Sequence, residues 1–128
     1  MNITIKTIPH SRQRYPTVGD WWFESDNSLQ IRVSNMHNPY YEVLVARHEL
    51  DEAILCMKRN IKEKDVTEFD LKFEYEREKG QHSEDAEPGD DPRSPYHKEH
   101  RTATQAEVQF AIALNIDWSN YERTILDL

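Results

Sequence analysis

The sequence predicts a single α+β domain spanning residues 1–128, and three observations support this prediction. Short segments in which apolar and polar residues alternate occupy residues 2–33, as in half-buried strands. A long segment with helical periodicity follows at residues 41–61, and further helical segments follow it. The length of 128 residues suits one domain with a modest core.

Three strands are predicted, at residues 2–8, 18–24 and 29–33. Residues 25–28 are a cluster of turn-forming residues between the second and third strands, which favours a hairpin. We expect the first strand to join this hairpin in a three-stranded, mainly antiparallel sheet that packs against a layer of helices.

The segment at residues 41–61 predicts a helix that is apolar on two faces. Asn38 is a suitable N-cap, and Pro39 suits the first helical position. One apolar stripe consists of Val43, Ala46, Leu50, Ala53, Ile54, Met57 and Ile61, and the opposite face of Tyr41, Leu44, Val45, His48, Glu52, Leu55 and Cys56. A helix of this kind is usually buried on both faces, so we expect it to be the most buried helix.

Two polar residues of this helix, His48 and Glu52, are four residues apart and therefore lie on one side of it. A buried carboxylate requires a partner, and a divalent cation bound by both side chains would supply one. A hydrogen-bonded His–Glu pair in the core, or a partly hydrated helix edge, is the alternative explanation. Glu49 directly follows His48, as the general base follows the first ligand in the H-E-x-x-H motif of metalloproteases.

Further helices are predicted at residues 65–79, from Ser94 to about residue 115, and at residues 117–128. Residues 81–94 are an acidic segment that contains Pro88, Gly89 and Pro92. Loops of this length are uncommon within a compact domain unless they are functional or disordered. We expect a flexible acidic loop, acting either as a lid or as a tether.

A zinc site requires three or four protein ligands, so a third must come from elsewhere in the chain. His97 and His100 are three residues apart in the segment PYHKEH and share one helix face. His100 is farther inside the predicted helix, so we favour it as the third ligand, with His97 as the alternative. His48, Glu52 and His100 together form a two-histidine, one-carboxylate set that suits zinc and also other divalent metals, including non-haem iron.

Composition excludes several classes of partner. The net charge is −8, with 24 acidic and 16 basic residues and no basic block, which argues against a nucleic-acid partner. No apolar run approaches the roughly 20 residues of a membrane helix, and the first residues lack the apolar core of a signal peptide. The single cysteine, Cys56, excludes an internal disulfide bond and suits a reducing compartment, so we expect a cytoplasmic protein.

The helix with HEL and Glu52, the segment PTVGDWWF and the segment EPGDDPRSPYHKEH resemble those of a group of small phage- and bacteria-associated proteins that look like minimal zincin-type metallohydrolases. The resemblance spans nearly the whole chain and implies a zincin-like fold. It implies His48 and Glu52 as zinc ligands, Glu49 as the catalytic base and a histidine of YHKEH as the third ligand. It further implies a peptide or amide substrate. Glu52 departs from the zincin pattern, which has histidine at this position.

Two alternatives belong to other functional classes. One is a non-catalytic phage or host interaction protein that contains a structural metal or none. The other takes Glu49 and Glu52 as an E-x-x-E pair that binds magnesium, as in nucleotide pyrophosphohydrolases. That alternative requires a second acidic pair, for which Glu68, Asp70 or Glu74 are available. Bound zinc would favour the histidine site, and magnesium would favour carboxylates alone.

Overall fold

The computed structural model describes residues 1–128 and contains one sheet and four helices. The strands are β1 (Ile3–Ile8), β2 (Gly19–Phe23) and β3 (Leu29–Ser34). The helices are α1 (Pro39–Lys58), α2 (Glu63–Glu78), α3 (His97–Ala113) and α4 (Trp118–Leu126). Short 3-10 turns occupy His10–Arg12 and Pro88–Asp90. The predicted α+β class is confirmed, and no helix has the length and apolar content needed to cross a bilayer.

The sheet has the order β1-β3-β2, with β3 in the centre. β2 and β3 form the predicted antiparallel hairpin, in which Trp21 is opposite Ile31. β1 pairs with β3 in parallel, with Ile5 also opposite Ile31. The prediction of a mainly antiparallel sheet is therefore wrong, and the sheet is mixed. Alternation along a strand indicates which residues face the core, but it does not identify the neighbouring strand, and residues 9–18 lead the chain from one edge of the sheet to the other.

The core lies between the sheet and α1. Leu29, Ile31 and Val33 of β3 are almost completely buried and belong to one apolar cluster with residues of α1. α1 packs against β2, β3 and α3. Ile3 and Ile5 of β1 are paired with core residues of β3 but remain 45% and 49% exposed. The helical layer therefore covers β2 and β3 more completely than β1.

Helix α1 begins as predicted, because the Asn38 side chain accepts hydrogen bonds from the backbone N–H groups of Tyr40 and Tyr41. Its face with His48 and Glu52 is buried, as expected. The opposite stripe is not fully covered, since Val43 and Met57 are each 46% exposed. The expectation of cover on both faces is thus met only in part, since Ala53 of this stripe is completely buried whereas Val43 and Met57 lie outside the cover that β2, β3 and α3 provide.

The start of α3 differs from the prediction. The helix begins at His97, and the Ser94 hydroxyl accepts a hydrogen bond from the Tyr96 N–H before the helix starts. His100 consequently lies in the first turn of α3 and not a full turn inside it. The preceding 3-10 turn at Pro88–Asp90 packs against both α2 and α3. Part of the acidic segment 81–94 therefore lies against the helix that carries His100.

Candidate metal centre

The structure brings together His48 and Glu52 of α1 and His100 of α3. The His48 Nε2 atom is 3.2 Å from Glu52 Oε2 and 3.2 Å from His100 Nδ1. The His100 Nδ1 atom is 3.0 Å from Glu52 Oε2. The three residues are 9%, 4% and 6% exposed, respectively, and form a cluster able to hold a metal ion. The three candidate ligands chosen from the sequence thus converge on one point.

Close packing of α1 and α3 accounts for this convergence. Ala53 follows Glu52 in α1, Ala103 lies one turn after His100 in α3, and both alanines are completely buried. Small side chains at buried helix positions allow the two backbones to approach, and ligands on facing helices then meet between them.

The spacing of the three atoms suits a small metal ion. Zinc binds histidine nitrogen and carboxylate oxygen at about 2.0–2.1 Å, which places neighbouring ligand atoms of a tetrahedral site roughly 3.3 Å apart. The separations in this cluster are 3.0–3.2 Å. The donor set and its spacing therefore fit zinc, with three protein ligands.

Each candidate ligand also makes a hydrogen bond on its outer side, that is, through the side-chain atom that faces away from the other two ligands. The Glu107 Oε1 atom is 2.8 Å from His48 Nδ1, and the Tyr121 hydroxyl donates to Glu107 Oε2 at 2.6 Å. The Glu87 Oε2 atom is 2.9 Å from His100 Nε2. Trp21 Nε1–H donates to the Glu52 Oε1 atom at 2.9 Å. Outer hydrogen bonds of this kind orient metal ligands.

The surrounding carboxylates favour positive charge at the cluster. Burial by itself lowers the pKa of His48, but hydrogen bonds with Glu107 and Glu52 outweigh it and raise that pKa well above its usual value. Burial is likewise outweighed at His100, whose pKa rises to about 10 through Glu52 and Glu87. Burial raises the pKa of Glu52, but its contacts with His100 and His48 lower it to about 2. The carboxylates therefore stabilise either protonated imidazoles or a cation.

Glu49 lies at the wall of the same cavity as the cluster. Its side chain packs against β2, where a Cβ atom built on Gly19 would be 2.6 Å from Glu49 Oε1. Burial and the negative charge of Glu52 raise the pKa of Glu49 well above its usual value. A general base acts best when its pKa lies near the operating pH, and a cation held beside Glu52 would lower the raised pKa of Glu49.

The cavity has a volume of about 350 Å³ and is also lined by the buried carboxylate of Asp70. Asp70 accepts hydrogen bonds from the hydroxyl groups of Tyr15, at 2.9 Å, and Tyr96, at 2.5 Å. Burial outweighs these hydrogen bonds and raises the pKa of Asp70 to about 7. Tyr96 also lies edge-on to the His100 ring, which connects Asp70 to the metal-ligand cluster.

The alternative ligand, His97, is not part of the cluster. Its Nδ1 atom is 3.0 Å from the backbone carbonyl oxygen of Gly89. A second group able to hold a cation consists of Glu87, Asp90 and the outer side of His100. The two carboxylate side chains of that group are 56% and 53% exposed. His100 is therefore the histidine of α3 that faces the other ligands.

Of the acidic residues considered for a magnesium site, Asp70 and Glu74 line the same cavity as Glu49 and Glu52. The Glu68 side chain is 64% exposed and lies 3.8 Å from Lys64. Glu74 forms an ion pair with Arg77 at 3.1 Å. Glu49 belongs to neither group of residues able to hold a metal ion. The histidine-containing cluster is thus the better-formed site.

The residues that contact the outer sides of the three candidate ligands were not predicted from the sequence. Glu107 was detectable in principle, since it is seven residues after His100 and so lies on the same helix face two turns later. Trp21, Glu87 and Tyr121 come from three other parts of the chain, and no spacing relates them to His48 or His100.

A comparison of the chain with known proteins gives no match to a protein-family model, a curated protein or a solved structure.

Proposed function

We propose that the chain is a zinc-dependent hydrolase of the zincin type in which His48, Glu52 and His100 hold the metal. The observation that carries this proposal is the convergence of two imidazole nitrogens and one carboxylate oxygen to 3.0–3.2 Å of one another in a buried site. All three residues line a cavity of about 350 Å³. Cavities of this size are at the small end of those that bind low-molecular-weight ligands.

The number of ligands supports a catalytic role. Structural zinc sites are usually closed by four protein ligands, whereas catalytic sites use three and leave a position for water or substrate. The cluster supplies three ligands, and it lies at a cavity wall. This arrangement favours a hydrolase over an interaction protein with a structural metal.

Zinc, when bound, lowers the pKa of a water molecule to about 7 and so supplies a nucleophile near neutral pH. Glu49, which lines the same cavity, would be the residue that accepts a proton and passes it to the leaving group. His48, Glu52 and His100 would hold the metal, and Trp21 keeps the Glu52 carboxylate in place. By analogy with zincins, the bond that is hydrolysed is an amide or peptide bond.

Metal analysis of the purified protein tests the proposal. We expect one zinc ion per chain in the parent protein and loss of zinc in His100→Ala. His97→Ala is the matched control, because it removes a histidine from the same helix that does not face the ligands. A parent protein that does not bind added zinc would refute the proposal, as would loss of zinc in His97→Ala with retention in His100→Ala.

Hydrolysis is measured separately on panels of peptides and amides, with and without a chelator. We expect activity that the chelator abolishes and that added zinc restores. A zinc-loaded parent protein without activity on these panels would contradict the catalytic part of the proposal, and the metal would then serve to join α1 to α3.

A further inference from the structure

Glu107 is a buried carboxylate on α3 whose burial requires an explanation. It is 9% exposed, and both of its oxygens are engaged, one by His48 and the other by Tyr121. Removing a carboxylate from water is unfavourable unless hydrogen bonds compensate. One of the two compensating contacts is with His48, a member of the metal-ligand cluster. The other is with Tyr121, which holds the opposite oxygen of Glu107.

The contact with Glu107 determines which nitrogen of His48 is available as a ligand. A neutral imidazole has one N–H donor and one nitrogen with a free lone pair. An ionised carboxylate only accepts hydrogen bonds, so Glu107 requires the proton of His48 to be on Nδ1. The lone pair then belongs to Nε2, the atom that lies 3.2 Å from both Glu52 Oε2 and His100 Nδ1.

Tyr121 gives this arrangement a rigid support. It is 1% exposed, and its ring packs edge-on against the rings of Tyr41 and Trp118, with centroid distances of 5.2 and 5.1 Å. Its hydroxyl donates to the Glu107 oxygen that does not contact His48. Tyr121 of helix α4 thus reaches the cluster through a carboxylate that is held at both ends.

We propose that Glu107 is a positioning residue that fixes the tautomer and the ring orientation of His48, and that Tyr121 of α4 holds Glu107 in place. This inference rests on the proposed zinc site. It extends that site from three ligands to a chain of hydrogen bonds that runs through α1, α3 and α4. Partners that hold a metal-ligating histidine in this way typically change metal affinity by about 10- to 100-fold when they are altered.

Three variants test the inference. Glu107→Gln keeps an acceptor for His48 Nδ1–H but loses the charge, Glu107→Leu loses both, and Tyr121→Phe loses only the outer hydroxyl. We expect the zinc dissociation constant to rise by roughly 10-fold in Glu107→Gln and Tyr121→Phe and by about 100-fold in Glu107→Leu. Competition with a chromophoric chelator measures these constants.

Glu99→Gln is the matched control, since Glu99 is also a buried glutamate of α3 but pairs with Arg59. We expect its zinc affinity to equal that of the parent. The visible absorption of the cobalt-substituted protein is the second readout, because it reports ligand geometry and a purely structural role would leave it unchanged. We expect altered cobalt spectra in the Glu107 variants and a parent-like spectrum in Glu99→Gln.

The possible results separate this inference from the proposed function. Parent-like zinc affinity and cobalt spectra in both Glu107→Gln and Tyr121→Phe would overturn the inference and leave the zinc site intact. A parent protein that binds neither zinc nor cobalt would overturn both. Circular dichroism and metal-free unfolding establish that each variant is folded. If Glu107→Leu does not fold, Glu107→Gln and Tyr121→Phe decide the outcome, because each keeps the shape of the original side chain.

Discussion

Gly89 lies directly against the imidazole ring of His100. A Cβ atom built on Gly89 would overlap the ring, since it would lie only 2.7 Å from Cδ2 and closer still to Cγ. The neighbouring Glu87 contacts the outer nitrogen of the same ring. The turn at Pro88–Asp90 therefore forms a wall behind His100, the proposed third metal ligand, and glycine is required there for space.

Gly89→Ala should displace either the turn or the His100 ring. Overpacking of a buried position costs roughly 1–3 kcal/mol, and a displaced ligand weakens metal binding. We expect a lower free energy of unfolding in urea and a zinc dissociation constant at least about 10-fold higher. Gly80→Ala is the control, because Gly80 has a φ of 78° and no atom within 4 Å of an added Cβ. Gly80→Ala should lower the free energy of unfolding through backbone strain alone and should leave zinc affinity unchanged. Unaltered zinc binding in Gly89→Ala would contradict the proposed position of His100.

Glu49→Gln should retain zinc and lose hydrolytic activity. The amide keeps the shape of the side chain but cannot accept a proton, and a general base typically contributes about 10²- to 10⁴-fold to the rate. Zinc content and kcat are measured on the same preparation. A variant with parental activity would remove Glu49 from the mechanism, and loss of zinc would indicate that Glu49 is a ligand.

Gly19→Ala should shift the position of the Glu49 carboxylate while leaving the residue itself unchanged. The added methyl group would meet the end of the Glu49 side chain, which can move aside more easily than the His100 ring. We therefore expect a smaller fall in kcat than in Glu49→Gln, with zinc content equal to that of the parent. If Gly19→Ala lowers kcat as far as Glu49→Gln while zinc is retained, the position of the carboxylate matters as much as its basicity.

His48→Ala should abolish zinc binding and also destabilise the metal-free protein. It leaves the buried Glu107 without its imidazole partner and leaves Glu52 with His100 as its only imidazole partner. Breaking a buried ion pair by removing one partner costs about 3–5 kcal/mol. Urea unfolding with a chelator present measures this cost, and a second series with zinc measures the loss of metal stabilisation. Equal stability of variant and parent in chelator would show that His48 acts only through the metal.

Asp70→Asn should change how stability depends on pH. The pKa of Asp70 is raised to about 7 because of burial, whereas an unfolded aspartate titrates near pH 3.9. Between these values the folded protein retains a proton that the unfolded chain has lost, so this group lowers stability as pH rises from about 4 to about 7. Asparagine has no such proton. We expect the free energy of unfolding of Asp70→Asn, relative to the parent, to increase over this range by a few kcal/mol. A difference that is the same at about pH 4 and about pH 8 would contradict the raised pKa.

The sequence alone determined the local features of this protein. Alternation and turn residues predicted the β2–β3 hairpin, and the Asn38 side chain begins α1 as expected. The four-residue spacing of His48 and Glu52 placed them on one buried side of α1. These features follow from interactions between residues close in the chain, whose relative positions are set by the 2-residue and 3.6-residue periods. The need for a third ligand pointed to His97 or His100, and the preference for His100 rested on a position inside the helix that the start of α3 at His97 does not provide.

Tertiary structure decided the features that depend on distant segments. It placed β1 parallel to β3 and left Val43 and Met57 half-exposed on α1. It also brought Glu107 and Tyr121 to the outer side of His48. Periodicity specifies the face on which a residue lies but not the element that packs against that face. The outer partners of the proposed metal ligands therefore depend on how α1, α3 and α4 pack together, which no spacing within a single helix encodes.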